Sequence, residues 1–96
     1  KENQINFAYA SEADLLNVAL FGLTAGEWKE QNKDKKGNIR DYATLNQLLV
    51  LANMESYNAT LINENKSQSE RLKLLNDMAR YQLNVLQGLN NPLLIE

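Results

Sequence analysis

The sequence predicts an all-α fold: a small orthogonal or bundle-like domain of about four helices, with a buried central third helix. Three observations carry that expectation. Pro occurs once, at Pro92, and Gly four times, so long segments run without a breaker. Four-residue patterns of the capping-box type, a hydroxyl residue followed three positions later by an acid or amide, recur ahead of apolar segments. Apolar residues, among them 17 Leu, recur three and four apart, which is the spacing of a helix face. At 96 residues, 44% apolar and 23% charged, the chain suffices for one core of ordinary size and not for two.

The elements follow in order. Ser11-x-x-Asp14 is a loose capping box, with Asp in place of the usual Glu or Gln, and opens a helix from about Glu12 to Phe21 that stops near Gly22. Leu15, Leu16, Ala19 and Leu20 mark its apolar face. Thr24-x-x-Glu27 opens a short helix from about Ala25 to Gln31, whose Trp28 is expected to cover an edge of the core. Residues 32–38 contain no apolar side chain and read as a loop, and Ile39 to Tyr42 as a turn.

Thr44-x-x-Gln47 opens the third helix, from about Leu45 to Asn63. Leu45, Leu48, Leu49 and Ala52 form one stripe, and Val50, Met54, Tyr57 and Leu61 a second beside it. A helix apolar over most of its circumference near Leu48 to Ala52 is expected at the centre of the domain. Ser67-x-x-Glu70 opens the fourth helix, from about Gln68 to Gln87, with Gly88 as its stop. It also carries two stripes: Leu72, Leu75, Ala79, Leu83 and Leu86, and beside them Leu74, Met78, Tyr81 and Val85. Two stripes suit two different partners. Asn90-Asn91-Pro92 ends regular structure, and Leu93-Leu94-Ile95 is an apolar tail that either docks on the domain or continues into further sequence. A strand is suggested only by the alternation of Ile5-Asn6-Phe7-Ala8-Tyr9, which would need a partner the chain does not offer. Because the chain starts at Lys1, the expectation is a fragment of a longer protein, or a processed chain.

Composition removes whole classes of chemistry. With no Cys there is no disulfide scaffold, thiol nucleophile or thiolate zinc site, and with no His no imidazole base or ligand. No catalytic, cofactor-binding or metal-ligating residue stands out, and no cofactor is expected. The carboxylates Glu12 and Asp14 cluster at a helix start, where acids complement the helix dipole, so capping is their reading. A carboxylate-based enzyme is the remaining catalytic alternative, and no Asp-rich motif supports it. No apolar run is long enough to span a membrane, and no signal peptide is visible.

Two groups of residues are candidates for interaction. Lys33, Lys35, Lys36 and Arg40 lie in or beside the loop and read either as a solvated surface or as phosphate contacts. Interleaved Glu30, Asp34 and Asp41, and the formal net charge of -2, argue against a free-standing nucleic-acid binder. Arg40 reads as a buried anchor for its loop. In the fourth helix Leu72, Leu75, Ala79, Gln82, Leu86 and Leu89 fit a and d positions of a short heptad pattern. They read either as an oligomer interface or as intramolecular core. Asn46 and Asn53, with Thr60 seven residues further on, place a polar stripe on the third helix that faces a neighbouring helix or solvent.

Several segments together resemble a known family. They are Tyr9-Ala10-Ser11-Glu12-Ala13-Asp14, Ala19-Leu20-Phe21-Gly22-Leu23-Thr24-Ala25 with Trp28, Gly37-Asn38-Ile39-Arg40-Asp41-Tyr42-Ala43-Thr44, Gln47-Leu48-Leu49-Val50-Leu51, and Ser69-Glu70-Arg71-Leu72 with Leu75 and Asn76. The whole, from about Tyr9 to Leu89, resembles the region C-terminal to the KilA-N domain in phage-derived bacterial DNA-binding proteins. The stretch from Gly37 to Thr44 is its most specific piece. In that family the KilA-N domain binds DNA and lies upstream. The resemblance therefore implies a cytoplasmic, DNA-linked parent protein, with no catalytic residues carried over. This chain would serve it as an accessory domain for self-association, as a homodimer, or for binding another protein. Direct DNA contact through residues 33–40 is the alternative.

Overall fold

A computed structural model describes residues 9–89. They form helix α1 (Glu12–Phe21), helix α2 (Ala25–Gln31), a 3-10 turn (Ile39–Tyr42), helix α3 (Leu45–Asn63) and helix α4 (Gln68–Leu89). Among the described residues there is no strand. The all-α expectation holds, and α3 contacts both α1 and α4. The alternating segment 5–8 and the tail 93–95 lie outside the described residues.

Each helix starts where a side chain can satisfy its first free N–H groups. The Ser11 hydroxyl accepts from the Asp14 N–H at 3.1 Å. At Thr24/Glu27 and Thr44/Gln47 the full reciprocal box is present, and Ser67 and Glu70 exchange the same pair of bonds at 3.2 and 3.0 Å. A fourth reciprocal box, Asn38 with Asp41, opens the 3-10 turn.

Helix ends are equally local in origin. Gly22 ends α1 at φ 87° and donates its N–H to the Val18 carbonyl. Helix α3 ends in a Schellman turn: Asn65 takes φ 64°, Lys66 N–H donates to Leu61 O and Asn65 N–H to Ile62 O. Asn is the side chain that most readily replaces Gly in that left-handed position. Gly88 does not stop α4, which runs on to Leu89. A Gly inside a helix costs only about 1 kcal/mol, and Gly88 is not among the residues with positive φ.

The core joins three helices. Leu15, Leu16 and Ala19 enter it from α1, Val50, Leu51, Met54 and Leu61 from α3, and Leu75 and Ala79 from α4. Leu15, Val50, Met54 and Leu75 are fully enclosed. Helices α3 and α4 form an antiparallel pair, and α1 lies across one side of it. The first stripe of α3 does not join this core. Leu45 is 82% exposed, and Leu48, Leu49 and Ala52 are exposed too. The reason is angular: at 3.6 residues per turn these positions turn away from Val50, Met54 and Leu61, while α1, ten residues long, lies on the core side. It covers one side of a much longer helix pair.

Two side-chain amides fasten the start of the domain. The Tyr9 N–H donates to Gln68 Oε1 at 2.8 Å, and Gln68 Nε2 donates back to the Tyr9 carbonyl at 3.3 Å. Asn76 Nδ2 donates to the Ala19 carbonyl at 2.9 Å, filling one free acceptor in the last turn of α1.

Candidate interaction surface

Opposite α1, the α3–α4 pair has no covering element among the described residues. A shallow groove of about 920 Å3 runs between the helices, lined by Asn53, Tyr57 and Thr60 of α3 and by Leu74, Met78 and Tyr81 of α4, among others. It continues into an apolar cavity of about 200 Å3 formed by Leu49, Tyr81, Val85 and Leu86 around the Asn53 and Gln82 amides. Tyr81 is 70% exposed and lines both spaces. The apolar residues left open come from two helices but gather at one end of the pair: Leu45, Leu48 and Leu49 begin α3, and Tyr81 and Val85 lie in the second half of α4. One charged side chain, Asp77, lines these spaces, and Lys73 holds it at 3.3 Å.

The heptad residues of α4 mostly face the other way. Leu75 and Ala79 are enclosed in the intramolecular core, and Leu72 and Leu86 pack against its edge. Gln82 accepts a hydrogen bond from Asn53 Nδ2 at 2.9 Å, within the same chain. The side chain of Leu89 lies outside the described set. Residues already buried in their own domain present no free surface. Of the second stripe, Tyr81 and Val85 are exposed, Leu74 and Met78 line the groove while packing against the core edge, and Gln82 and Leu86 of the heptad set border the open side. Periodicity identified both stripes, but only the position of α1 decides which of them is covered.

The basic loop is largely engaged with itself. Lys29 Nζ donates to the carbonyls of Lys35 and Gly37 at 3.1 and 3.0 Å. Lys33 pairs with Glu30 at 3.1 Å, and Lys35 sits 5.4 Å from the centre of the Tyr42 ring. Lys36 is exposed and lends its carbonyl to the Tyr42 hydroxyl at 2.7 Å. The Tyr42 ring in turn packs on Trp28, with centroids 5.2 Å apart. Trp28 thus packs within the α2–turn hairpin, where Ile39 is the buried aliphatic residue. Arg40 is a half-exposed ion pair to Glu55 of α3 at 3.5 Å and not the buried anchor expected of it.

That anchor is Arg71. Its side chain is only 8% exposed. Its Nη1 donates to Glu12 Oε1 at 2.6 Å and to Asn58 Oδ1 at 3.0 Å, and its Nε to the Lys66 carbonyl at 3.2 Å. Asn58 Nδ2 closes the ring by donating to Glu12 Oε1 at 2.9 Å. One guanidinium therefore ties the starts of α1 and α4 to the second half of α3. The hydrogen bond from Arg71 holds the Glu12 carboxyl below its ordinary range, with Asn58 adding to the effect and partial burial opposing it. Glu12 does more than cap. Sequence reasoning passed over Arg71, yet a signal existed: a cation in the first turn of a helix opposes the dipole and needs a compensating partner.

The Asn residues of α3 divide by depth. Asn58 is buried in the polar tie, Asn53 spans the groove floor, and Asn46 is half-buried near the start of the helix. Thr60 is exposed on the groove. Among the described residues, no three His, Cys, Asp or Glu side chains converge as a metal site would require. No helix there is long and apolar enough to cross a membrane. No protein-family profile matches the chain, and no curated protein or solved structure is significantly similar to it.

Proposed function

We propose that this chain is an accessory protein-interaction or self-association domain of a KilA-N-type, phage-derived bacterial DNA-binding protein. The observation that carries the interaction role is the row of large apolar side chains, Leu45, Leu49, Tyr81 and Val85, left open along the α3–α4 pair. Apolar patches of this kind mark sites of association. The link to a DNA-binding parent rests on the sequence resemblance from Tyr9 to Leu89. DNA contact then belongs to another domain of the parent. The loop supports this division of labour, since Lys29, Lys33 and Arg40 are spent on carbonyls or carboxylates of their own chain.

Titration of the chain against labelled duplex DNA at low salt tests the reading. The expected result is no saturable binding. Saturable binding that disappears on charge reversal at Lys35 and Lys36 would replace it with direct DNA contact through the loop.

A further inference from the structure

We infer that the occupant of the open α3–α4 face is a second copy of this chain, paired face to face about a two-fold axis at Tyr81. This rests on the interaction reading above and narrows it to one partner and one geometry.

Charge is the first argument. The face offers an incoming surface apolar carbon, amides and hydroxyls, with Asp77 as its one charged group, already held by Lys73. A strongly charged partner would find no counter-charge there. A second copy presents the same uncharged chemistry, and its amides, Asn53 and Gln82, both donate and accept. A self-complementary patch is what a two-fold contact requires.

Position is the second argument. The lining residues of α4 run from Leu74 to Leu86, and Tyr81 lies near the middle of that span. In a two-fold contact the centre of the patch meets itself. The two Asp77 carboxylates would then sit four residues either side of the axis, about 12 Å apart along the helices. That exceeds the screening length of about 10 Å in moderate salt, so they do not oppose pairing. A largely exposed Tyr at the centre of a patch is also the side chain type that most often dominates an interface.

Area sets the strength. From Leu45 to Thr60 the face is about 22 Å long, and two helices abreast are about 20 Å wide. This flat footprint of roughly 450 Å2 is about half of the ~800 Å2 per side of a standard interface. The dimer is therefore weak and concentration-dependent, on the micromolar scale.

Sedimentation velocity of the full chain from about 1 to 200 μM spans that range. The expected result is a rise from the 10.9 kDa monomer toward twice that mass. Tyr81→Asp, at a site exposed enough to leave the helix content unchanged by circular dichroism, is expected to weaken the dimer at least tenfold. Val85→Asp serves as a second variant with the same expected loss. The chain has no Cys, so Tyr81→Cys supplies a single sulfur, and mild oxidation is expected to give a covalent dimer. A monomer at every concentration overturns the inference, while the wider interaction reading still answers to its own DNA titration. A dimer indifferent to both Asp variants overturns it as well. A dimer that they abolish but that forms no disulfide overturns the two-fold at Tyr81.

Discussion

Replacing Arg71 by Met tests the polar tie most directly. The substitution keeps an unbranched stem of similar reach and removes the guanidinium. Three acceptors lose a donor: Glu12 Oε1, Asn58 Oδ1 and the Lys66 carbonyl. Their fates differ. Lys66 is exposed and the Glu12 side chain is 46% exposed, so water replaces much of what both lose. Asn58 is only 4% exposed. Its oxygen stays buried without a partner, at a cost of about 1–3 kcal/mol. The half-exposed ion pair adds roughly 0.5–1 kcal/mol, well under the figure for a fully buried pair. The expected total is about 1.5–4 kcal/mol, which corresponds to a fall in melting temperature of roughly 6–30 °C for a domain of this size. Urea unfolding followed by circular dichroism, with the slope checked for constancy, measures it. The reasoning also requires that Arg71→Met with Asn58→Leu lose less than Arg71→Met alone, because the orphaned oxygen is gone. A single variant within about 0.5 kcal/mol of the wild type, or a double variant worse than the single, would refute it.

Other outcomes follow from the same structure. Leu75→Ala empties a fully enclosed site between three helices and is expected to cost about 2–5 kcal/mol in the same urea assay, whereas Leu45→Ala, at 82% exposure, should stay within about 0.5 kcal/mol. Gly37 holds φ 87°, and an added Cβ would collide with the Asp41 carboxylate that caps the 3-10 turn; Gly37→Ala is expected to loosen the hairpin and change Trp28 fluorescence before the helical signal melts. Glu12 has its folded-state pKa lowered below the ordinary value of 4.5, so its contribution is complete above that pH and is lost as pH falls through the lowered value. Denaturant midpoints measured against pH should therefore show wild type and Glu12→Gln converging below 4.5 and separating above it.

The helices were legible in the sequence because their signals are local. Ser11, Thr24, Thr44 and Ser67 each sit beside the N–H groups they satisfy, and Gly22 ends α1 by its own backbone freedom. The open face was only half legible. Both stripes of α3 and both stripes of α4 show as periodicity, but which is covered depends on α1, a helix distant in sequence from either core stripe. Arg71 was missed for a related reason, since its partners Glu12 and Asn58 lie 59 and 13 residues away. The Asn excess becomes intelligible only in three dimensions. Asn58 lies in the tie, Asn76 caps α1, Asn38 caps the 3-10 turn and Asn65 reverses the chain. The buried Asn17 carbonyl oxygen has no partner among the described residues.

The pairing of Gln68 with Tyr9 has a consequence for how the chain joins the domain. A side-chain amide carries the same donor and acceptor as a peptide group, and here it meets both backbone groups of Tyr9 as the edge of a sheet would. One helical residue thus gives Tyr9 the pair of bonds that a neighbouring strand would give. Two bonds at one residue fix heading as well as place, so the polypeptide reaches α1 along a set direction and not on a swivel. A carboxylate could not do the same work. Glu at position 68 would still accept from the Tyr9 N–H but would turn a second acceptor toward its carbonyl. The amide is required for its two-sidedness.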